Sequence, residues 1–525
     1  MKILITDPIE QVCTDILQKE GMEVDAKPGL PPDEIKKIIG GYDALIVRSG
    51  TKVTADIIAE AKSMKVIGRA GAGVDNIDVP AATRKGIIVM NTPGGNTVST
   101  AEHTMALMLS MARNIPQSYR DLQGGKWERK KYMGTELLGK TLGIVGLGKV
   151  GREVASRAKA FGMNVIGYDP LLAPENAANL GLELVPLEEI FHKSDFITVH
   201  TPLTEETRGL LGEKTFPLCK QGVRVINCAR GGIIDEQALL KALESGKVAG
   251  AALDVYMKEP PGENPLFNHP KVVATPHLGA STEEAQEKVA KQIGEQLVDF
   301  FKGRGIVGAV NIVDYQTAVS DEMRAYLVLG EKIGSLLAQL ITGKVKSITA
   351  AYSGALLQKS SELLSTAVLK GMLDKLMFAP VNFVNAPAIA KELGIAISEK
   401  KEQASGHYSN LLKVEIATDR EHRSIAGTVF DGSEMRIVGI DDFHFEIFPE
   451  GHFLFYSNTD RPGMLAAVGG LLASADVNIA DVSLGRSARG ERALTVMGVD
   501  SEIPEKVLLQ LTKIAGVYEV KAVRL

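Results

Sequence analysis

The sequence predicts an α/β protein with two doubly wound parallel sheets, one inserted into the other. An α+β domain and a small β-α-β-β-α-β domain follow. Three observations carry this. Through residues 1–98, β-branched runs alternate with amphipathic helices, the rhythm of a parallel sheet with helices on both faces. The glycine fingerprint Gly146-x-Gly148-x-x-Gly151 follows an apolar run but begins far from the chain start. The tail His452–Leu525 reads strand, helix, two strands, helix, strand.

The bulk properties set limits. A chain of 525 residues exceeds what one core organises. A net charge of −5 gives no reason to expect nucleic acid or an acidic membrane surface as partner. Cys13, Cys219 and Cys228 are odd in number and far apart, which argues against a disulfide framework and for a reducing, cytoplasmic setting. No apolar stretch is long enough to span a bilayer, and "MKILITDPIE" reads as a first strand, not a signal peptide.

Taken in order, "KILIT", "MEVDAK", "DALIVRSG", "KVIGRAG" and "GIIVMNTPG" read as strands, with helices between them. This unit lacks the glycine fingerprint, so it is not expected to hold a dinucleotide. "TVSTAEHTMALMLSMARNIP" reads as one long bridging helix, capped by Thr97 or Ser99 and closed by Pro116. Strands "TLGIVG", "NVIGYD", "FITVH", "RVINCA", "GAALDV" and "VVATPH" build the second unit. "STEEAQEKVAKQIGEQLVDFFKG" then reads as a helix returning to the first. The division is 1–98 with 283–308 as a split substrate-binding domain, 99–282 as a nucleotide-binding domain, 309–449 as an α+β domain and 452–525 as the last. Substrate is expected in the cleft between the first two.

The fingerprint has the right context: a strand before it, helix "KVGREVASRAKAFG" after it, then a strand ending in Asp169. Gly146, Gly148 and Gly151 permit a tight turn and bring backbone N–H groups close to a pyrophosphate at a helix N-terminus. Asp169 is placed to accept hydrogen bonds from ribose hydroxyls and to repel a 2′-phosphate, favouring NAD over NADP. This is a Rossmann-like arrangement; the plain alternative is a structural glycine turn.

Three further strand ends matter. Arg230 follows one, Asp254 and Glu259 another, and His277 the last, all on the rim where parallel sheets bind ligands. Singly, these are a surface ion pair, a solvated acid and a structural histidine; together they fit one reaction. Hydride exchange between nicotinamide and a secondary alcohol needs a group that takes or gives a proton near neutrality, as histidine does. A carboxylate such as Glu259 favours the imidazolium and fixes its tautomer. Arg230 offers a planar fork to a carboxylate. The set describes a 2-hydroxy-acid oxidoreductase.

The stretches "GRAGAGVDNID", "NTPGGNTVSTAEHTMALML", "GKTLGIVGLGKVG", "HTPLTEETRGL", "NCARGGIIDE", "ALDVY" with "EP", and "TPHLGAST" make residues 1–308 resemble the D-isomer-specific 2-hydroxyacid dehydrogenase family. The resemblance implies that Arg230 binds substrate, that Glu259 pairs with His277, and that His277 exchanges the proton. It also implies cofactor contacts by Lys149, Val150, Asp169, Thr201, Cys228, Ala229, Arg230, Asp254, His277, Leu278, Gly279 and Ala280. Ala72 departs from the pattern, since relatives often carry threonine there, which puts one minor side-chain contact in doubt.

Arg48 and Arg69 both end strands of the first unit, and two arginines suit a substrate bearing a phosphate as well as a carboxylate. Backbone N–H groups around Gly71 and Gly73 are placed to hold the carboxylate. The basic run "KWERKK" reads as a solvated face, whereas the resemblance implies a subunit contact that lends Arg129 to a neighbouring site. The implied reaction is NAD-dependent oxidation of D-3-phosphoglycerate to 3-phosphohydroxypyruvate, the first step of the phosphorylated route to L-serine. No metal is expected.

Beyond residue 309, "EKIGSLLAQLI" and "LLSTAVLKGML" read as helices, and "LLKVEIA", "RSIAGTVF" and "MRIVGIDDFHFEIF" as hairpin strands. This part resembles the intervening domain of the family's long form and carries no catalytic constellation. The tail is ferredoxin-like, and with "NTDRPGML" and "NIADV" it resembles the amino-acid-sensing ACT domain. Asp460 is placed to hold the amino group of an effector, L-serine, with Asn458 and Asn478 fixing the rest; the alternative is a purely structural pairing domain. Its sheet is expected to pair with a second copy, giving a homo-oligomer, a tetramer. Two rival functions share the fold: a glyoxylate or hydroxypyruvate reductase, and an NAD-dependent corepressor-like scaffold.

Overall fold

The computed structural model describes residues 1–179, 181–312, 320–378, 380–403 and 407–525. The short apolar runs of the first unit form five parallel strands: β1 (Lys2–Ile5), β2 (Glu23–Ala26), β3 (Ala44–Val47), β4 (Val66–Arg69) and β5 (Ile88–Asn91). Their order is β2-β1-β3-β4-β5, with helices on both faces. One covering helix comes from far along the chain. Glu283–Phe301, capped by the Thr282 hydroxyl accepting from the Ala285 N–H, buries Val289, Ala290, Ile293 and Leu297 with Ile3, Ile5, Cys13 and Met90. Gly68 makes room for it, since a Cβ there would stand about 3 Å from Ile293 and Leu297.

Between the two sheets, the expected single helix is two. Thr97–Ala112 ends before Asn114, which is left-handed at φ 53°, and Ile115–Gln123 follows. Pro116 therefore opens the second helix, where its missing N–H costs nothing, and does not close the first. Nor do Thr97 or Ser99 cap the first helix: Asn96 holds that position without a side-chain bond, and the Ser99 hydroxyl pairs with that of Thr282 at 2.8 Å.

The second sheet has seven parallel strands: β6 (Thr141–Val145), β7 (Asn164–Tyr168), β8 (Glu183–Leu184), β9 (Phe196–Val199), β10 (Val223–Asn227), β11 (Val248–Leu253) and β12 (Val272–Ala274). The order is β12-β11-β10-β9-β6-β7-β8. The chain reverses direction across the sheet between β6 and β9, and the carboxyl ends of the strands there open a crevice.

The third sheet contains β13 (Val345–Ser353), β14 (Ala396–Glu402), β15 (Leu411–Thr418), β16 (His422–Phe430), β17 (Glu434–Ile440) and β18 (Phe443–Ile447), in the order β14-β13-β15-β16-β17-β18. Helices Asp321–Leu340 and Ser361–Leu376 bury their apolar faces with it. The last sheet, β19 (His452–Thr459), β20 (Ile479–Arg486), β21 (Arg492–Val499) and β22 (Val517–Arg524), is antiparallel in the order β20-β21-β19-β22. Alternation along β19 sends Leu454 and Tyr456 to the helices of this unit. Phe453 and Phe455 go into the core of the preceding one, together with Leu494, Val496 and Val523. A smaller contact ties the third unit to the first: Val384 is buried in the first core, and the Asn382 amide donates to the Gly86 carbonyl at 2.9 Å.

Candidate active site

The crevice begins where β6 ends. Gly146 turns the chain at φ 94°, and a Cβ there would stand 2.5 Å from the His200 carbonyl oxygen. A Cβ on Gly151 would overlap the Gly146 carbonyl oxygen, whereas one on Gly148 would meet nothing within 4 Å. The turn is thus tight against the sheet and open above the first turn of helix Lys149–Ala160, where unpaired N–H groups favour an anion. Asp169, just past β7, accepts from the Leu147 N–H (2.8 Å) and the Leu171 N–H (2.9 Å). Just past β9, the Thr201 hydroxyl is buried without a hydrogen-bond partner among the described residues. Lys149 reaches the opposite wall and donates to the Pro93 carbonyl at 3.1 Å. An open glycine cradle, a helix N-terminus and an orphaned hydroxyl fit a dinucleotide.

Beyond β10, the Asn227 side chain folds the rim loop: its carbonyl accepts from the Ala229 N–H and its amide donates to the Arg230 carbonyl. Cys228 lies buried beneath, its thiol pushed up to about 12 by burial, so it is inert. Arg230 crosses the cleft, where its Nε donates to Asp75 at 2.9 Å and its guanidinium occupies space that a Cβ on Gly73 would fill.

At the last two strand ends, Asp254 is fully buried. It accepts from the Thr275 hydroxyl (2.6 Å) and from the N–H groups of Leu278 (2.7 Å) and Gly279 (2.8 Å). His277 stands at φ 56°. Its Nδ1 lies 2.7 Å from Glu259, whose other oxygen accepts from the Tyr256 N–H. The bond to Glu259 raises the His277 pKa above its ordinary value, against burial. Burial would raise the Glu259 pKa, but the His277 bond and the Tyr256 N–H outweigh it and hold the carboxylate low. Leu278, Gly279 and Ala280 continue the loop; the Gly279 carbonyl accepts from Thr100 and the Ala280 carbonyl from Gln286.

The facing wall supplies cations. Arg69 is pulled down to about 10 by burial and by the charges of Arg230 and Arg48. The Arg69 and Arg230 guanidinium groups lie against Gly71 and Gly73 of one loop, while the Arg48 guanidinium donates to the Pro8 carbonyl at 3.3 Å. The Asn76 side chain accepts from Arg69 Nε (3.0 Å) and donates to the carbonyls of Arg48 and Thr51 (2.7 Å each), holding the two arginine loops together. The N–H groups of Ala72, Gly73 and Val74, between Gly71 and Asp75, donate to nothing among the described residues.

Two groups of expected residues fall elsewhere. Arg129 lies on the exposed turn Arg129–Tyr132 and makes no hydrogen bond or ion pair within the chain among the described residues. Asn458, Asp460 and Asn478 do not converge. Register pairs Asn458 with Ala493 but places Asn478 beside the Val499 end of β21, about 20 Å away at ~3.3 Å per residue. Asn458 is also buried, its amide spent on the Thr459 carbonyl. Sequence reasoning missed Asn227, Asn76, Asp75 and His103. The first two support loops from within, a role with no motif; His103 sits mid-helix among apolar residues.

Known proteins resemble the chain along its whole length. Residues 105–279 match the family model of the D-isomer specific 2-hydroxyacid dehydrogenase NAD binding domain. Residues 322–441 match the D-3-phosphoglycerate dehydrogenase intervening domain, and 452–516 the ACT domain. A D-3-phosphoglycerate dehydrogenase of Archaeoglobus fulgidus is 44% identical over 528 residues, spanning all of both chains. A human D-3-phosphoglycerate dehydrogenase is 44% identical over 515 residues, 96% of each chain. Among solved structures, the NAD+-bound 3-phosphoglycerate dehydrogenase of Entamoeba histolytica is 33% identical with a TM-score of 0.51, covering 59% of this chain and 98% of its own.

Proposed function

Because the chain belongs to the D-isomer-specific 2-hydroxyacid dehydrogenase family, in the long form with intervening and ACT domains, we propose that it oxidises D-3-phosphoglycerate to 3-phosphohydroxypyruvate with NAD. The observation that carries the substrate is the Gly71–Gly73 loop flanked by the Arg69 and Arg230 guanidinium groups, with Asn76 tying Arg69 to the Arg48 backbone and the His277–Glu259 pair at the strand-end rim. An arginine fork suits a carboxylate or a phosphate, and a substrate bearing both groups can engage more than one. Residues 1–98 with 283–308 form the substrate-binding domain, 99–282 the NAD-binding domain, 309–449 the intervening domain and 452–525 the ACT domain.

In this reading Arg230 and the free N–H groups of Ala72, Gly73 and Val74 hold the substrate carboxylate, and Arg48 and Arg69 hold the phosphate. His277 Nε2, the ring nitrogen not bound to Glu259, takes the hydroxyl proton. Glu259 stabilises the imidazolium that results. Gly146, Gly148, Lys149, Val150, Gly151, Asp169, Thr201, Cys228, Ala229 and Asp254, with the His277–Ala280 loop, hold NAD, which when bound supplies the hydride acceptor. The deciding assay is NAD reduction with D-3-phosphoglycerate against glycolate and D-glycerate. Strong preference for the phosphorylated acid is expected; preference for glycolate or D-glycerate overturns the substrate assignment in favour of a glyoxylate or hydroxypyruvate reductase.

Asp169→Ala is expected to weaken NAD binding and relax discrimination against NADP, measured as the ratio of kcat/KM for the two cofactors. An unchanged ratio removes Asp169 from cofactor selection.

The active form is a homo-oligomer, a tetramer. Supporting this, Ile115, Tyr119, Leu122, Trp127, Met133 and Leu138 are all exposed within residues 115–138, the same stretch from which Arg129 would reach a neighbouring cleft. L-Serine binds between ACT domains of two copies, where Asp460 of one meets Asn478 of the other; Asn458, being buried, takes no part. Asn478→Ala is then expected to abolish serine inhibition with uninhibited turnover intact. Calorimetry giving equal serine affinity for wild type and variant refutes the site.

A further inference from the structure

We propose that His103, on the helix bridging the two parallel sheets, is a positioning residue for the loop that carries His277, acting through Asp254. Helix Thr97–Ala112 turns Thr100 and His103 toward the rim. The Thr100 hydroxyl donates to the Gly279 carbonyl at 3.1 Å. His103 Nε2 lies 3.2 Å from an Asp254 carboxylate oxygen and 3.1 Å from the Thr275 hydroxyl.

Counting protons fixes the imidazole. The Thr275 hydroxyl gives its hydrogen to Asp254 at 2.6 Å, so toward His103 its oxygen only accepts. An ionised carboxylate only accepts as well. Nε2 faces two acceptors and must carry the proton. His103 is therefore a fixed donor into the buried acid.

The acid in turn governs the loop. Burial would favour the neutral form of Asp254, but the bonds from His103, Thr275, Leu278 and Gly279 outweigh it and hold the carboxylate below its ordinary range. Two of these four donors are the backbone N–H groups that directly follow His277. On the other side the His277 N–H donates to the Thr275 carbonyl at 3.1 Å. His277 is thus pinned from both sides in a left-handed backbone that few residues adopt. Without the His103 proton, a neutral or shifted Asp254 loosens its hold on Leu278 and Gly279, and the His277 ring moves relative to substrate. The charged groups facing His277 are Glu259, Asp254 and Arg230, so a change at Asp254 also reaches its titration.

This inference rests on the reading of His277 as the proton acceptor. The test compares His103→Gln, whose amide N–H reaches the place of Nε2, with His103→Leu and the shorter His103→Asn, which supply no donor there. Turnover is measured alongside the titration of His277 by NMR of the 13C-labelled apoprotein, assigned with His277→Ala. Displacement of a catalytic group by a remote change costs up to about 10²-fold. His103→Leu and His103→Asn are expected to lose roughly 10- to 10²-fold in kcat and to move the His277 titration to lower pH, with His103→Gln near wild type. If His103→Leu does not fold, His103→Asn carries the comparison. Equal loss in the Gln and Asn variants, or wild-type turnover and titration in Asn, overturns the inference. A His277→Ala variant that keeps turnover instead overturns the catalytic reading beneath it.

Discussion

His277→Ala is expected to lower turnover by about 10²–10⁴-fold and NAD affinity far less, because it removes the proposed proton transfer but leaves the glycine cradle. His277→Asn is the matched control, since asparagine accepts the left-handed backbone that His277 adopts. The pH dependence has a definite sign. In the proposed mechanism oxidation requires neutral His277, whose pKa is raised by the bond to Glu259. The oxidative rate is therefore lost as pH falls through that raised value, and reduction is lost as pH rises through it. Glu259→Gln lowers the His277 pKa, so the acid limb of the oxidative profile moves to lower pH while the plateau falls. Stopped-flow NADH fluorescence and pH–rate profiles check both. Turnover of His277→Ala near wild type removes His277 from the chemistry.

Arg230→Gln lowers kcat/KM by about 10²–10³-fold, the typical cost of losing one positioned donor to developing charge. Arg230→Lys recovers little of it, because an ammonium cannot present two parallel donors to a carboxylate. The loss is expected mainly in substrate KM and kcat, with NAD binding nearly unchanged, since the Asn227 bonds that fold the loop do not use the guanidinium. Steady-state kinetics with both substrates varied distinguishes these. A loss confined to the KM for NAD reassigns Arg230 to the cofactor.

The rim was readable because parallel sheets place chemistry at strand ends: Arg230, Asp254 and His277 each follow an apolar run closely enough to be located without coordinates. What supports them was not readable. Asn227 and Asn76 act by bonding backbone groups whose positions depend on the folded loop, and nothing in their spacing marks them. Local signals also misled where tertiary geometry decides. Pro116 reads equally as a stop or a start, and the left-handed turn at Asn114 settles it. Asn458 and Asn478 lie twenty residues apart in sequence and look like neighbours, yet antiparallel pairing sends them to opposite ends of one sheet. The charged run of β14 is exposed along its whole length and carries no apolar alternation, so it gave no strand signal.

The last sheet is covered on both faces over its central strands, while its edge strand β20 stays open, with Val482 and Leu484 exposed. Its helices cover one side, and Phe453, Phe455, Leu494, Val496 and Val523 commit the other to the core of the intervening domain. The seam is closed at its edge by Arg423, which spans Asp441 of one unit and Glu519 of the other. A domain mounted this way is welded to its carrier, not hung from a tether. It cannot be swapped for a foreign domain by matching linker length alone, because a graft must reproduce the buried aromatic and aliphatic surface as well. The ACT domain and its carrier are then one welded pair, and any new binding specificity has to be bred within that pair.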